Sequence, residues 1–159
     1  MRSTGSRTLF GPNLRPTQQP QPLQNASRRR RVMFLCLGNV CRSQMAEGFA
    51  RQLGQDVFDS VSAGLAPGMM VDPVTIKLMR EKGIDIEGHF PKEIKLAAHR
   101  GVDLVINMSG YPAPEMPGVA VREWKVEDPH MKAEKLHRQV RDQIEALVME
   151  LVMELRMTR

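Results

Sequence analysis

Val32-Met33-Phe34-Leu35-Cys36-Leu37-Gly38-Asn39-Val40-Cys41-Arg42-Ser43 is the stretch on which the fold of this chain turns. Its first four residues are a continuous apolar run, the pattern of a strand covered on both faces, as in parallel sheets. Gly38 and Asn39 follow, residue types that accept the positive φ of a tight wrap. Beyond the loop, Met45, Phe49 and Leu53 recur at helical spacing and give one apolar helix face. Strand, glycine-containing loop and helix in that order aim successive backbone N–H groups, and the positive end of the helix dipole, at one point. Such a point binds an oxyanion.

Cys36 stands at that point, where neighbouring amides and a cation favour a thiolate and so a nucleophile. Arg42 returns to it six residues later, and its planar fork can hold two phosphoryl or arsenyl oxygens at once. Ser43 can donate a hydrogen bond to the sulfur. A bare Cys-x5-Arg is more often structural, a buried strand-end cysteine and a solvated arginine. Here the strand before, the helix after and the residues between agree on the catalytic reading. Cys41 lies in the same tight loop, which makes it the expected redox partner of Cys36 through a reversible disulfide.

Working outward, Val57 to Ser62 reads as a second, alternating strand. Asp72-Pro73 opens a helix that Gly83 closes, with a capping acid, proline at the first turn and glycine past the end. A weaker helix is expected over Lys92 to His99, strands over Asp103 to Met108 and Val119 to Val126, and a long helix over about Lys132 to Arg156. Leu136, Val140, Ile144, Leu147, Leu151 and Leu155 form the stripe of that last helix. Strands alternating with helices give an α/β domain with a mostly parallel sheet.

The 159 residues, 42% hydrophobic, suit one domain, and aromatics at 4% disfavour a base-stacking surface for single-stranded nucleic acid. The net charge of +5 is misleading: residues 1–31 hold seven arginines and no acid, so the remainder carries −2. The basic balance therefore predicts no specific nucleic-acid partner, and no apolar run is long enough to span a bilayer. Residues 1–30, with Pro12, Pro16, Pro20 and Pro22, read as a disordered basic tail; an organellar leader and an over-long start remain alternatives. Residues 31–159 form the expected catalytic domain. Two cysteines and four scattered histidines predict neither a disulfide scaffold nor a metal site, and a reducing cytoplasm is the expected compartment.

The segment from Cys36 to Ser43 resembles the phosphate-binding loop of the low-molecular-weight protein tyrosine phosphatases, and Gln44-Met45-Ala46-Glu47-Gly48 is similar to the related arsenate reductases. Ser62-Ala63-Gly64, Gly83-Ile84-Asp85-Ile86 with His89, Asp103-Leu104-Val105 and Asp128-Pro129 extend the resemblance. It implies a three-layer domain with a four-stranded parallel sheet flanked by helices. It implies catalysis by Cys36, Arg42 and Asp128, and oxyanion binding by Leu37, Gly38, Asn39, Val40, Cys41, Arg42 and Ser43. Asn39, Ser62 and His89 are then the hydrogen-bond network that holds the loop. Asp128 is the implied general acid, with capping of the last helix as its structural alternative; Asp72 is assigned to its helix cap. The principal expectation is hydrolysis of a phosphorylated protein or small aryl phosphate through a phosphocysteine, without cofactor. The alternative is arsenate reduction, and the non-enzymatic alternative is an oxyanion- or nucleic-acid-binding module. Two features depart from the phosphatase pattern: Leu65 to Met70 holds no aromatic residue, and His130 follows Pro129. Asn107 to Gly118 holds no cysteine, so an arsenate reductase built on this chain needs an external thiol, or Cys41, to resolve Cys36.

Overall fold

The computed structural model describes residues 28–158. Strands β1 (Arg31–Cys36), β2 (Asp59–Gly64), β3 (Leu104–Asn107) and β4 (Ala120–Glu123) and helices α1 (Arg42–Gly54), α2 (Pro73–Arg80), α3 (Ile94–Ala97) and α4 (Glu134–Met157) follow the order β1-α1-β2-α2-α3-β3-β4-α4. The sheet order is β2-β1-β3-β4, and every pairing is parallel. The four-stranded parallel α/β architecture is therefore as expected.

Alternation along β1 builds both layers. Val32 and Phe34 project into a core with Met45 and Phe49 of α1 and Val140, Ile144, Val148 and Leu151 of α4. Met33 and Leu35 project to the other face, against Ala63, Ala97, Val102 and Val105. Full burial of side chains such as Phe34, Met33 and Leu35 contributes about 1.5–3 kcal/mol each, which anchors the start of the loop that follows Cys36.

Some boundaries differ from expectation. The second strand begins at Asp59 rather than Val57, because the Gly54 carbonyl accepts from both Val57 N (2.8 Å) and Phe58 N (3.1 Å), keeping the chain in the turn that ends α1. β2 does not alternate, since its last three residues are all buried. The expected helix over Lys92 to His99 is one turn, α3. The first two and a half turns of α1 lack a solvent face: Arg42 through Ala50 are all buried, including Gln44 and Glu47.

The expected tail falls largely on residues 1–27, outside the described residues. Its last arginines are spent on the domain: Arg28 pairs with Asp103 at 2.8 Å, Arg29 with Asp59 at 3.4 Å, and Arg30 donates to Thr158 Oγ1 at 3.3 Å. Among the described residues no helix is long and apolar enough to cross a membrane.

Candidate active site

The loop between β1 and α1 is held from outside by its carbonyl groups. Those of Cys36, Leu37, Gly38 and Val40 accept from Leu65 N (3.0 Å), Ala66 N (2.8 Å), Gly68 N (2.9 Å) and Asp72 N (3.0 Å). The Asn39 carbonyl accepts from Gln44 Nε2 at 3.1 Å, and that of Cys41 from Met45 N at 2.9 Å. In a trans peptide the N–H points opposite to the C=O. Carbonyls turned outward therefore turn the amides of residues 37–42 inward, around Cys36. Asn39 N, 3.3 Å from Cys36 Sγ, is one such amide.

Two positions make this wrap possible. Asn39 is left-handed, with φ 53°, where asparagine is among the few tolerated side chains. Gly64, at the end of β2, lies against the loop backbone: a Cβ there would stand 2.9 Å from Asn39 N, Gly38 C and Leu37 O. Any other residue at 64 would push the loop off the sheet.

Ser43 Oγ lies 2.9 Å from Cys36 Sγ and accepts from Asn39 Nδ2 at 2.7 Å, so Asn39 orients the hydroxyl toward the sulfur. Asn39 Oδ1 accepts from Lys92 N at 3.0 Å, tying the loop to the segment before α3. Ser62 and His89, expected with Asn39 in the network that holds the loop, reach it through residues of α1. Ser62 Oγ donates to Glu47 Oε2 at 2.8 Å, and His89 Nδ1 lies 3.0 Å from Gln44 Oε1 and 3.6 Å from Glu47 Oε2. Gln44 then completes the link by donating to Asn39 O. Of the residues that carry the connection, Gln44 and Glu47 enter the sequence analysis only within the stretch that resembles the arsenate reductases, and Lys92 only as the start of an expected helix. Their available signal was polar side chains inside the first turns of a helix that follows directly from a buried loop. Burial pushes the His89 imidazole below its ordinary value, partly offset by the Glu47 carboxylate, and lowers the Lys92 ammonium in the same way.

Arg42 is only 4% exposed. Its Nη1 donates to the carbonyls of Met108 and Val126, which spends one arm of the guanidinium on the ends of the strand connections. Nη2 lies 3.4 Å from Asp128 Oδ2, and Nε has no partner among the described residues. The edge left for a ligand is thus Nε and Nη2.

Asp128 does not cap α4, whose N-cap is Ala133. It accepts from His130 N at 3.0 Å through Oδ1 and faces Arg42 through Oδ2. Asp72 does cap α2, accepting from Val74 N at 2.9 Å. It also reaches the site: its Oδ2 is 3.1 Å from His130 Nδ1 and 3.5 Å from Cys41 Sγ. Burial alone would raise the Asp72 carboxyl; the Val74 amide, His130 and Cys41 together hold it below the ordinary value. Burial pushes the Cys41 thiol well up, and the Asp72 charge adds to the shift. Cys36, Leu37, Val40, Cys41, Arg42, Ala66, Asp128 and His130 surround a cavity of about 280 Å³, whose described lining holds no Phe, Tyr or Trp.

Residues 31–159 match the family described as low molecular weight phosphotyrosine protein phosphatase. The chain belongs to this family. Within it, a glutaredoxin arsenate reductase of Synechocystis is 37% identical over 127 residues, covering 77% of this chain and 96% of the relative. An arsenate reductase of Staphylococcus aureus is 35% identical over 121 residues, covering 74% and 92%. A solved arsenate reductase in its phosphate-binding state superposes with a TM-score of 0.71 at 35% identity, covering 79% of this chain and 98% of its own. These relatives correct the principal functional expectation. The chain is an enzyme of the phosphatase superfamily, but proteins of this similarity are named arsenate reductases, so phosphotyrosine hydrolysis is set aside.

Proposed function

We propose that this protein reduces arsenate to arsenite, with Cys36 as nucleophile and an external thiol as reductant. The observation that carries the reading is the cavity itself: an oxyanion cradle of inward amides and the Arg42 edge, walled by Leu37, Val40, Ala66 and His130. That wall holds no phenylalanine, tyrosine or tryptophan ring for a phenyl group to stack on and suits a bare tetrahedral oxyanion. The names of the related proteins support the same choice.

Asn39 N–H and Ser43 Oγ face the Cys36 sulfur and hold the nucleophile in place. The amides of residues 37–42 and Arg42 Nε and Nη2 take the arsenate oxygens and the charge that builds on them. Cys36 Sγ attacks arsenic; a sulfur–arsenic bond forms and an arsenic–oxygen bond breaks. Asp128, at the cavity rim, donates a proton so that the oxygen leaves as water. A first external thiolate then attacks Cys36 Sγ. The sulfur–arsenic electron pair stays on arsenic, arsenite departs, and a mixed disulfide remains. A second thiol releases Cys36. One arsenate and two thiols become one arsenite, one disulfide and one water.

The external thiol follows from the cysteine inventory. Cys36 and Cys41 are the only two cysteines of the chain, and Cys41, buried and hydrogen-bonded to Asp72, is held as the less nucleophilic thiol. A small thiol of the glutathione class, or a glutaredoxin, is the matching reductant. The test measures arsenate-dependent disulfide formation with glutathione and glutaredoxin, beside hydrolysis of an aryl phosphate. Cys36→Ser should abolish reduction and Cys41→Ser should retain it. Rapid aryl phosphate turnover with no thiol-dependent loss of arsenate would refute the proposal.

A further inference from the structure

Three side chains from distant parts of the chain converge at the mouth of the cavity: Cys41 of the loop, Asp72 at the cap of α2, and His130 in the turn before α4. Cys41 Sγ is 3.5 Å from Asp72 Oδ2 and 3.9 Å from His130 Nδ1, and the last two atoms are 3.1 Å apart. We propose that these three residues form a binding site for a thiophilic divalent cation of the zinc class.

The spacing fits the ion. Bonds of about 2.3 Å to sulfur and about 2.0–2.2 Å to nitrogen and oxygen, at tetrahedral angles, place the ligand atoms about 3.4–3.6 Å from one another. Each observed separation lies within about 0.4 Å of that edge. The ligand set is also oriented. Asp72 Oδ1 is engaged by Val74 N, which leaves Oδ2 as the donor directed at the site. The His130 backbone is held by Asp128 Oδ1, which fixes the turn that presents its ring. The His130 side chain is 46% exposed, so an ion reaches the site from solvent without opening the core.

Charge is consistent with the same occupant. A cysteine sulfur and a carboxylate in one ligand set suit a 2+ ion, and the imidazole adds a neutral donor type common in zinc sites. Three protein ligands leave a fourth position open, as in zinc sites that take water or a small anion. Cys41 and His130 line the same cavity as Cys36 and Asp128. An ion held there narrows the approach to Cys36 and occupies Cys41, and that consequence for turnover rests on the reductase reading; the binding itself does not.

The experiment titrates the reduced full-length chain with Zn²⁺ by calorimetry and with Co²⁺ by absorption. Wild type and Cys36→Ser should bind one ion per chain and show the thiolate-to-cobalt charge-transfer band with the ligand-field spectrum of tetrahedral cobalt. Cys41→Ser should lose the band. His130→Ala, at a half-exposed position, and Asp72→Asn, which keeps a capping side chain, should weaken Zn²⁺ at least about tenfold. Loss of the band in Cys36→Ser instead of Cys41→Ser, or Zn²⁺ affinity in His130→Ala within twofold of wild type, would overturn the assignment. No readout uses turnover, so failure here is distinct from failure of the arsenate reading.

Discussion

Asn39 offers a test in which the sign of a difference decides. Its side chain is fully buried, makes the bonds to Ser43 Oγ (2.7 Å) and from Lys92 N (3.0 Å), and sits on a backbone with φ 53°. Asn39→Ala removes two hydrogen bonds, at about 0.5–1.5 kcal/mol each, and leaves the Lys92 amide without its acceptor. It also puts a Cβ without a polar partner in the left-handed region, for about 1 kcal/mol more. The two hydrogen bonds and the backbone term sum to about 2–4 kcal/mol, or a fall in Tm of roughly 6–15 °C for a domain of this size, and the orphaned Lys92 amide adds to it. Asn39→Gly loses the same hydrogen bonds but not the conformational term. At an ordinary position glycine is the less stable of the two by about 0.5–1 kcal/mol; here glycine should be the more stable. Urea unfolding of the three proteins measures the order directly. An alanine variant as stable as the glycine variant, or within about 1 kcal/mol of wild type, would refute the left-handed, doubly bonded role given to Asn39.

Arg42→Lys keeps the charge but not the Nε–Nη2 edge, and should lower kcat for arsenate by about 10²–10³; near-normal turnover in steady-state assays would remove Arg42 as the oxyanion clamp. Asp128→Asn should cost about 10² or more in kcat, whereas Asp72→Asn, still able to cap α2, should leave Tm within a few degrees of wild type; a calorimetric scan and a rate assay on each separate the two Asp-Pro pairs. Acid should destabilise the fold through His89 and His137, whose imidazoles burial pushes below their ordinary value. Protons then bind the unfolded chain first, so stability is full above pH about 6.5 and declines as pH falls toward the lower folded values. His137 Nε2 contacts the Pro129 carbonyl while Nδ1 is buried without a partner among the described residues, so His137→Gln should flatten the pH dependence of urea unfolding, and an unchanged slope would show that His137 is not a source of it.

The parts of this molecule that were legible in the sequence are those whose signal is local. The apolar run before Cys36, the glycine and asparagine of the wrap and the helical period after Arg42 lie within a few turns of one another. Together they specify strand, cradle and helix. Asp72-Pro73 likewise announces its helix because capping is a contact two residues long, from Asp72 to Val74. Strand limits were less legible where a helix end overlaps a strand start, as at Val57 and Phe58. Both amides there share the Gly54 carbonyl, a competition that hydrophobic pattern does not record.

The relay through Gln44 and Glu47 was illegible for a different reason. Each is an ordinary helix-surface residue until the packing of α1 removes its solvent face, so their role depends on tertiary burial rather than on residue type. His130 extends the point to the two Asp-Pro pairs, which looked like rivals for one role. Its backbone amide donates to Asp128 and its ring meets Asp72, 58 positions away in sequence. The two carboxylates therefore stand on either side of a single residue at the cavity mouth, one turned to Arg42 and the other to Cys41. Asp128 thus has a cationic neighbour, whereas the capping carboxylate of Asp72 faces a thiol and an imidazole. The two proposals need that arrangement: an oxyanion at the floor of the cleft beside Arg42, and a thiophilic cation at its rim beside Cys41.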